Sequence, residues 1–310
     1  MAIGVVFNPR AGRNRKDPGA SERMKRALGD HGVVEAPATL EALQKTAESF
    51  KRQGIDLLAI AGGDGTNHVT LTHFAEVYGD DALPSVALLR GGTMNTVADS
   101  LRLPRGRPEG LLDGLVLKYL ARESLPSIEQ WTLSVNGKLG FLWGLGVVPQ
   151  FLREYYDTGS PSPWTAARTL ARGIGSTLTR GAMFKRLREG VVCDVLHAEG
   201  HWQERRWLAV SAGTIADIGL GFKPYYLAPS SPGAMHLLGI HATPLEFVME
   251  LPKVHRAQAM AASRATSAVV ERFVVHVPGK SMRYMIDGDV FEHEGSEMLV
   301  TMGRKVRIIT

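Results

Sequence analysis

"AGGDGTNHV", residues 61–69, follows directly on the apolar run Asp56-Leu57-Leu58-Ala59-Ile60 and sets Gly62, Gly63 and Gly65 around a single aspartate, Asp64. Glycine at that density costs backbone entropy and offers no side chain to pack. It is useful where a chain turns sharply or where its backbone must come close to something else. The apolar run has strand length, and residues 67–78 read as a helix, so the stretch is a strand–loop–helix unit. Taken alone, such a loop is most simply a tight β-to-α turn.

Two further loops change the weight of that reading. "NPRAG" (8–12) follows the short apolar strand "IGVVF" (3–7), and "GGTMN" (91–95) follows "SVALL" (85–89). Helical patterns over 21–29, 40–53, 96–101 and 108–122, with a strand at 33–36, complete an alternation of β and α units. That alternation argues for an open parallel sheet. In such a sheet all three strands end at one edge, so the loops converge where α/β folds bind ligands. Backbone N–H groups and helix N-termini then form an anion site without many lysines. Thr66, Asn67, Thr93 and Asn95 add neutral donors.

After Pro126 the texture shifts to short strands separated by turn signals, as in "EQWTLSVNG", "GVVCDVLHAEG" and "RYMIDGDVF". "SVNGK" (134–138) is the clearest hairpin, because Asn-Gly supplies the positive φ angles of a type I′ turn. The expected division is an α/β domain over 1–126, with the tail 304–310 returning to it, and a mainly antiparallel β-sandwich domain over 127–303.

Composition bounds the partners. Of 310 residues, 36 are Lys or Arg and 31 are Asp or Glu, a net charge of +5 that suits an anionic partner without choosing one. The single cysteine, Cys193, excludes an intrachain disulfide and fits a reducing compartment. The opening lacks a signal-peptide pattern, and no run of 18 apolar residues spans a bilayer, so a cytoplasmic protein is expected. There is no P-loop, no G-x-G-x-x-G, no H-E-x-x-H and no G-x-S-x-G, and the ten histidines show no zinc spacing. The basic residues lack a helix-turn-helix, ribonucleoprotein or zinc-finger context, so nucleic acid is not an expected partner.

"NPRAG", "GGDGTNHV" and "GGTMNTVADSL", in this order, followed late in the chain by "IDGDVF" (286–291), resemble the diacylglycerol kinase catalytic-domain family. The resemblance implies a two-domain lipid kinase of the NAD kinase and diacylglycerol kinase fold, with nucleotide in the interdomain cleft. It implies that Asn8, Pro9, Gly12, Gly62, Gly63, Asp64, Gly65, Thr66, Asn67, Thr93 and Asn95 hold ATP and its Mg²⁺, with Asp64 as the metal ligand near the γ-phosphate. Thr39 stands near a threonine that binds nucleotide in relatives. Asp289 stands where the family carries a glutamate that acts as general base. Asp64 and Asp289 are therefore the two expected catalytic carboxylates.

The chain also departs from the family pattern. Thr96 replaces an aspartate after "GTMN", Asp289 is one methylene shorter than the family's glutamate, and Pro232-Gly233 stands where relatives carry Asp-Gly. An NAD kinase-like activity on a soluble substrate, or a nucleotide- or lipid-binding protein with little turnover, stay open beside the lipid kinase. For reaching a lipid, residues 164–188 carry six Lys or Arg and no acidic residue. Trp164, Leu170, Ile174 and Leu178 fall on one side of a helical wheel, the pattern of an interfacial helix on the inner face of a membrane. A second basic stretch, 253–264, reads as an ordinary helix. Either domain has edge strands that would allow a homodimer.

Overall fold

The computed structural model describes residues 2–147, 190–279 and 281–310. The basic segment 164–188 lies outside the described residues. The chain divides into two compact units, one of residues 1–130 and 304–310 and the other of residues 131–303.

In the first unit, β1 (Ile3–Phe7) pairs in parallel with β2 (Gly32–Glu35) and β3 (Leu57–Ala61), and β3 with β4 (Ser85–Leu88), giving the order β2-β1-β3-β4. β1 and β3 are buried along their whole length, which is why they read as continuous apolar runs rather than alternating ones. Helices α1 (Ala20–Leu28), α2 (Leu40–Arg52), α3 (Asp64–Tyr78), α4 (Thr96–Ser100) and α5 (Pro108–Leu120) connect and cover these strands. α1 and α5 share one core with the sheet through Met24, Leu28, Leu112 and Leu115.

In the second unit, β5 (Ser127–Val135) and β6 (Lys138–Gly140) form the Asn-Gly hairpin, with Asn136 at φ +50° and Gly137 at φ +78°. β7 (Leu142–Gly146), β8 (Val191–His197), β9 (Gly200–Trp207), β10 (Ala209–Gly213), β11 (Met235–Ile240), β12 (Ala265–Val270), β13 (Arg272–His276), β14 (Ser281–Ile286), β15 (Asp289–Glu294) and β16 (Glu297–Ile309) follow. One sheet runs β12-β11-β10-β7-β14-β15, with antiparallel pairing throughout. Against it pack β5, β8, β9, β13 and the first part of β16. Trp143, Trp207, Phe273, Tyr284 and Val300 from both layers form a single core, which makes this unit a β-sandwich.

β16 belongs to both units. Its first half is antiparallel to β13, and its end is parallel to β4 at Ile308–Val86. The tail 304–310 returns to the first unit, where Lys305 meets Glu129 at 2.8 Å and Arg304 donates to the carbonyls of Gly79 and Asp81.

Helix α6 (Pro244–His255) lies earlier than the helix expected over 253–264. A capping box decides its start: the Thr243 hydroxyl accepts from Glu246 N–H and the Glu246 carboxylate accepts from Thr243 N–H. Ala257, at φ +56°, ends the turn that follows, so residues 258–264 are not helical. Among the described residues no helix is long and apolar enough to cross a membrane.

One buried histidine marks the second unit. His236 on β11 is fully buried beside the rings of Tyr225 and Tyr226, with Leu227 N–H 3.4 Å from its Nδ1 and no partner at its Nε2. Burial lowers its pKa to about 4, against a small raising effect from a backbone hydrogen bond with Tyr225.

Candidate active site

The three loops at the carboxyl edge of the parallel sheet do meet. Asn8 Nδ2 donates to Thr66 Oγ1 at 2.8 Å, which ties the first loop to the start of α3. Arg13 N–H donates to Gly91 C=O, and Gly92 N–H to Gly62 C=O, both at 2.9 Å. A Cβ on Gly92 would lie 2.3 Å from the Cα of Gly63, and one on Gly12 would lie 2.0 Å from Thr93 Oγ1. Side chains at those positions are therefore excluded by neighbouring loops. Of the opening glycines, Gly63 is explained by close packing on the Gly92 backbone and Gly62 by the Thr66 side chain.

α3 begins at Asp64, three residues earlier than the sequence pattern placed it, with Gly63 as its extended N-cap. The first intrahelical bond is Asn67 N–H to Gly63 C=O, so the amides of Asp64, Gly65 and Thr66 have no acceptor within the helix. Such a terminus, here of a 15-residue helix, is the kind that suits an anion.

Asp64 is not simply aimed at a ligand. Its Oδ2 accepts from Thr96 N–H at 2.7 Å and its Oδ1 from Val97 N–H at 3.0 Å. The carboxylate thus caps α4 from another loop, the favourable end of that helix for negative charge. Burial raises its pKa, while the hydrogen bonds from Val97 and Thr96 pull it down. Thr96 contributes both its amide and its hydroxyl to Asp64, whereas an aspartate there would set a second carboxylate against it.

The other end of α4 is held by a residue the sequence reading passed over. Arg90, φ +52° and 5% exposed, donates to the carbonyls of Ala98, Leu103 and Pro104 and pairs with Asp99 at 2.8 Å. A five-residue helix too short to persist by itself is therefore clamped by an anion at its N-terminus and a cation at its C-terminus. Asn14 was missed as well. It is buried, and its Nδ2 bridges the carbonyls of Asn8 and Ala61 at 2.8 and 2.7 Å. "RGGTMN" carried a visible signal for Arg90, since a charged residue at the end of a buried strand needs several partners.

The remaining expected residues fall in two groups. Pro9 is exposed in the first loop beside Asn8, whose Oδ1 accepts from Arg10 N–H. Asn67 is 3% exposed with its Oδ1 unpartnered. Asn95, in the left-handed region at φ +53°, exchanges side-chain hydrogen bonds with Gly92 N–H and C=O and so closes its own loop. Thr39 is the N-cap of α2, its hydroxyl accepting from Ala42 N–H at 3.2 Å.

Asp289 is in the second unit, at the start of β15 and half-buried. Two residues before it, Asp287 is 5% exposed at φ +45°, and its carboxylate accepts from Phe141 N–H and Leu142 N–H at 2.8–3.1 Å. Asp287 fixes the Asp-Gly turn that presents Asp289.

Among the described residues no group of three or more His, Cys, Asp or Glu is arranged to hold a metal. Magnesium in nucleotide sites usually takes one or two carboxylates, the phosphates and water. Asp64 has about four acceptor positions, three of them used by two amides and the Thr96 hydroxyl of α4, so it has room for a single metal bond of that kind.

The comparisons with known proteins follow the loops. Among curated proteins none matches the chain. A diacylglycerol kinase from Bacillus anthracis str. Sterne is similar in fold, with a TM-score of 0.65, 12% identity, and 99% of this chain and 96% of that one covered. Yeast NADH kinase complexed with NADH is also similar, with a TM-score of 0.52 and 10% identity over 100% of this chain and 83% of that one. These likenesses define the fold, an α/β unit joined to an antiparallel sandwich. The model of the diacylglycerol kinase catalytic domain matches residues 2–124, the span that holds all three loops, and this likeness supports a kinase.

Proposed function

We propose that the protein is an ATP-dependent lipid kinase that transfers the γ-phosphate to a hydroxyl of diacylglycerol or a similar long-chain lipid. The observation that carries this reading is the meeting of the three glycine-rich loops at the start of α3, with Asp64 fixed by α4.

Phosphoryl transfer asks for positioning and charge neutralisation more than for covalent chemistry. The free amides at the start of α3 and the donors of the adjoining loops hold phosphate oxygens. Bound Mg²⁺ supplies charge neutralisation on the transferring group, with Asp64 as its protein ligand. The clamped α4 keeps the Asp64 carboxylate from rotating away. Asp289 takes the proton of the lipid hydroxyl as general base. Its shorter side chain, relative to the family's glutamate, narrows the range of acceptor positions it serves.

The test is ADP release from Mg·ATP by purified protein in mixed micelles. Diacylglycerol, monoacylglycerol, sphingosine and ceramide are offered one at a time, with NAD as the soluble control. Stimulation by one lipid supports the reading and names the acceptor. Stimulation by NAD alone replaces it with a soluble-substrate kinase, and ATP binding without turnover on any acceptor replaces it with a binding protein.

A further inference from the structure

We infer that the second unit carries a docking surface for an anionic lipid bilayer, built from the turn at 218–222 and the outer face of α6. The lipid kinase reading gives this surface a use, but the surface lies on residues that reading does not employ and is tested without nucleotide.

The turn runs Ile218-Gly219-Leu220-Gly221-Phe222. Ile218 N–H donates to Phe222 C=O at 3.0 Å and Phe222 N–H to Gly219 C=O at 3.2 Å, which closes it tightly. Leu220, at its tip, sits at φ +54°, a conformation uncommon for leucine. Ile218 and Leu220 are nonetheless 45% and 37% exposed. Backbone strain and exposed aliphatic surface both oppose stability, so their coincidence at one tip calls for a ligand.

The turn is seated on α6. Lys223 N–H donates to Val254 C=O at 3.1 Å, and the Phe222 ring stands edge-on to His255 at 5.6 Å. Along α6, Leu245, Val248, Met249, Pro252 and Arg256 follow at i, i+3, i+4, i+7 and i+11, a single stripe. Glu250 and Val254 are buried on the opposite side. Leu245 and Met249 are 44% and 53% exposed. The helix has an apolar ridge where a solvated helix would place polar residues.

Charge selects the occupant. Lys223 follows the turn and Arg256 follows α6, and the bond from Lys223 N–H to Val254 C=O brings them to the place where the two elements meet. The nearby carboxylates are already engaged: Asp217 accepts from Gly219 N–H, Glu246, at the far end of α6, from Thr243, and buried Glu250 pairs with Arg264 and Lys253. An apolar ridge ending in cations fits an interface in which aliphatic side chains enter the acyl boundary and cations meet anionic headgroups. It does not fit an acid-poor aqueous surface or a second copy of the same basic face.

The experiment is co-sedimentation of the full chain, without nucleotide, with vesicles of phosphatidylcholine alone or with phosphatidylglycerol as the minority lipid. Wild type is expected to partition onto the anionic vesicles. The pair Leu220→Glu and Met249→Glu is expected to lower that partition by roughly tenfold, and Arg256→Glu by roughly fivefold, with unchanged thermal melts. Turnover on a short-chain diacylglycerol below its micellar concentration is expected to stay at the wild-type rate. If the paired variant partitions as wild type does, the surface is not the docking site. If wild type ignores charge and its variants instead convert a dimer to a monomer, the face is a protein interface and the inference fails. Loss of the soluble turnover in wild type would count against the kinase reading alone.

Discussion

Two acidic turns invite comparison. In each, a carboxylate accepts the N–H groups of two successive residues far along the chain: Asp64 from Thr96 and Val97, Asp287 from Phe141 and Leu142. Under the proposed function, the first turn asks one residue both to hold the fold and to serve the nucleotide. The second would divide the work, with Asp287 holding the turn and Asp289, two residues on, left for the proposed chemistry. A residue with both tasks cannot be removed without disturbing structure and turnover together. Where the tasks are divided, the two effects should separate.

The largest expected effect is at Asp64. Asp64→Ala should lose lipid-dependent ADP release by several orders of magnitude and also weaken the fold by about 1–2 kcal/mol through the lost cap. Steady-state kinetics and a thermal melt on the same preparation measure both. Retention of wild-type turnover would remove Asp64 from the mechanism, and an unchanged melt would remove its structural task. Asp289→Asn comes next. Loss of a general base should lower turnover by roughly 10²–10⁴-fold while the melt stays where it was. A lowered melting temperature here would collapse the contrast between the two turns.

Asp287→Ala should do the reverse. It strands two buried N–H groups and should cost roughly 2–6 kcal/mol in urea unfolding, with turnover falling only as folded protein is lost. Normal stability with abolished turnover would make Asp287 a participant in the chemistry.

The last effect is seen by varying pH, and it runs in opposite directions in the two units. His236 has its folded pKa lowered to about 4. Its neutral form therefore contributes stability that is full above the ordinary histidine value, near 6.5, and is lost as pH falls through about 4. That contribution is about 3 kcal/mol. His236→Phe should flatten the acid limb of the stability curve, and an unchanged limb would show that another group drives it. Asp64 is raised instead, so folding favours its protonated form. Its contribution is full in acid and fades as pH rises through its folded value. Asp64→Asn should therefore close part of the gap to wild type above that value.

Much of this architecture was legible before any coordinates. Three apolar runs ending in glycine-rich loops implied parallel strands with a shared edge, and Asn136-Gly137 announced its hairpin, because both signals are local. Asn14 and Asp287 were not legible, and at Arg90 only the need for partners was, not their identity. Their partners lie 6 to 146 residues away, and no local pattern records which carbonyl or amide will arrive. Thr39 has a simpler local reading. A threonine ahead of a helix is more simply a cap, and the capping bond to Ala42 is what its hydroxyl makes. The helix expected over 253–264 was displaced because Thr243 and Glu246 start it earlier.

The path of β16 sets a timetable for synthesis. Ile308 is the residue that pairs with Val86 on β4, about 220 residues after β4 has left the ribosome. At roughly 5–20 residues per second this is a wait of roughly 10–45 s. Throughout that interval β4 presents an unpaired sheet edge, the kind of surface on which nascent chains aggregate. A fragment ending at residue 130 would keep that edge open permanently. The unit that holds the three loops is thus completed by a strand made about 220 residues later.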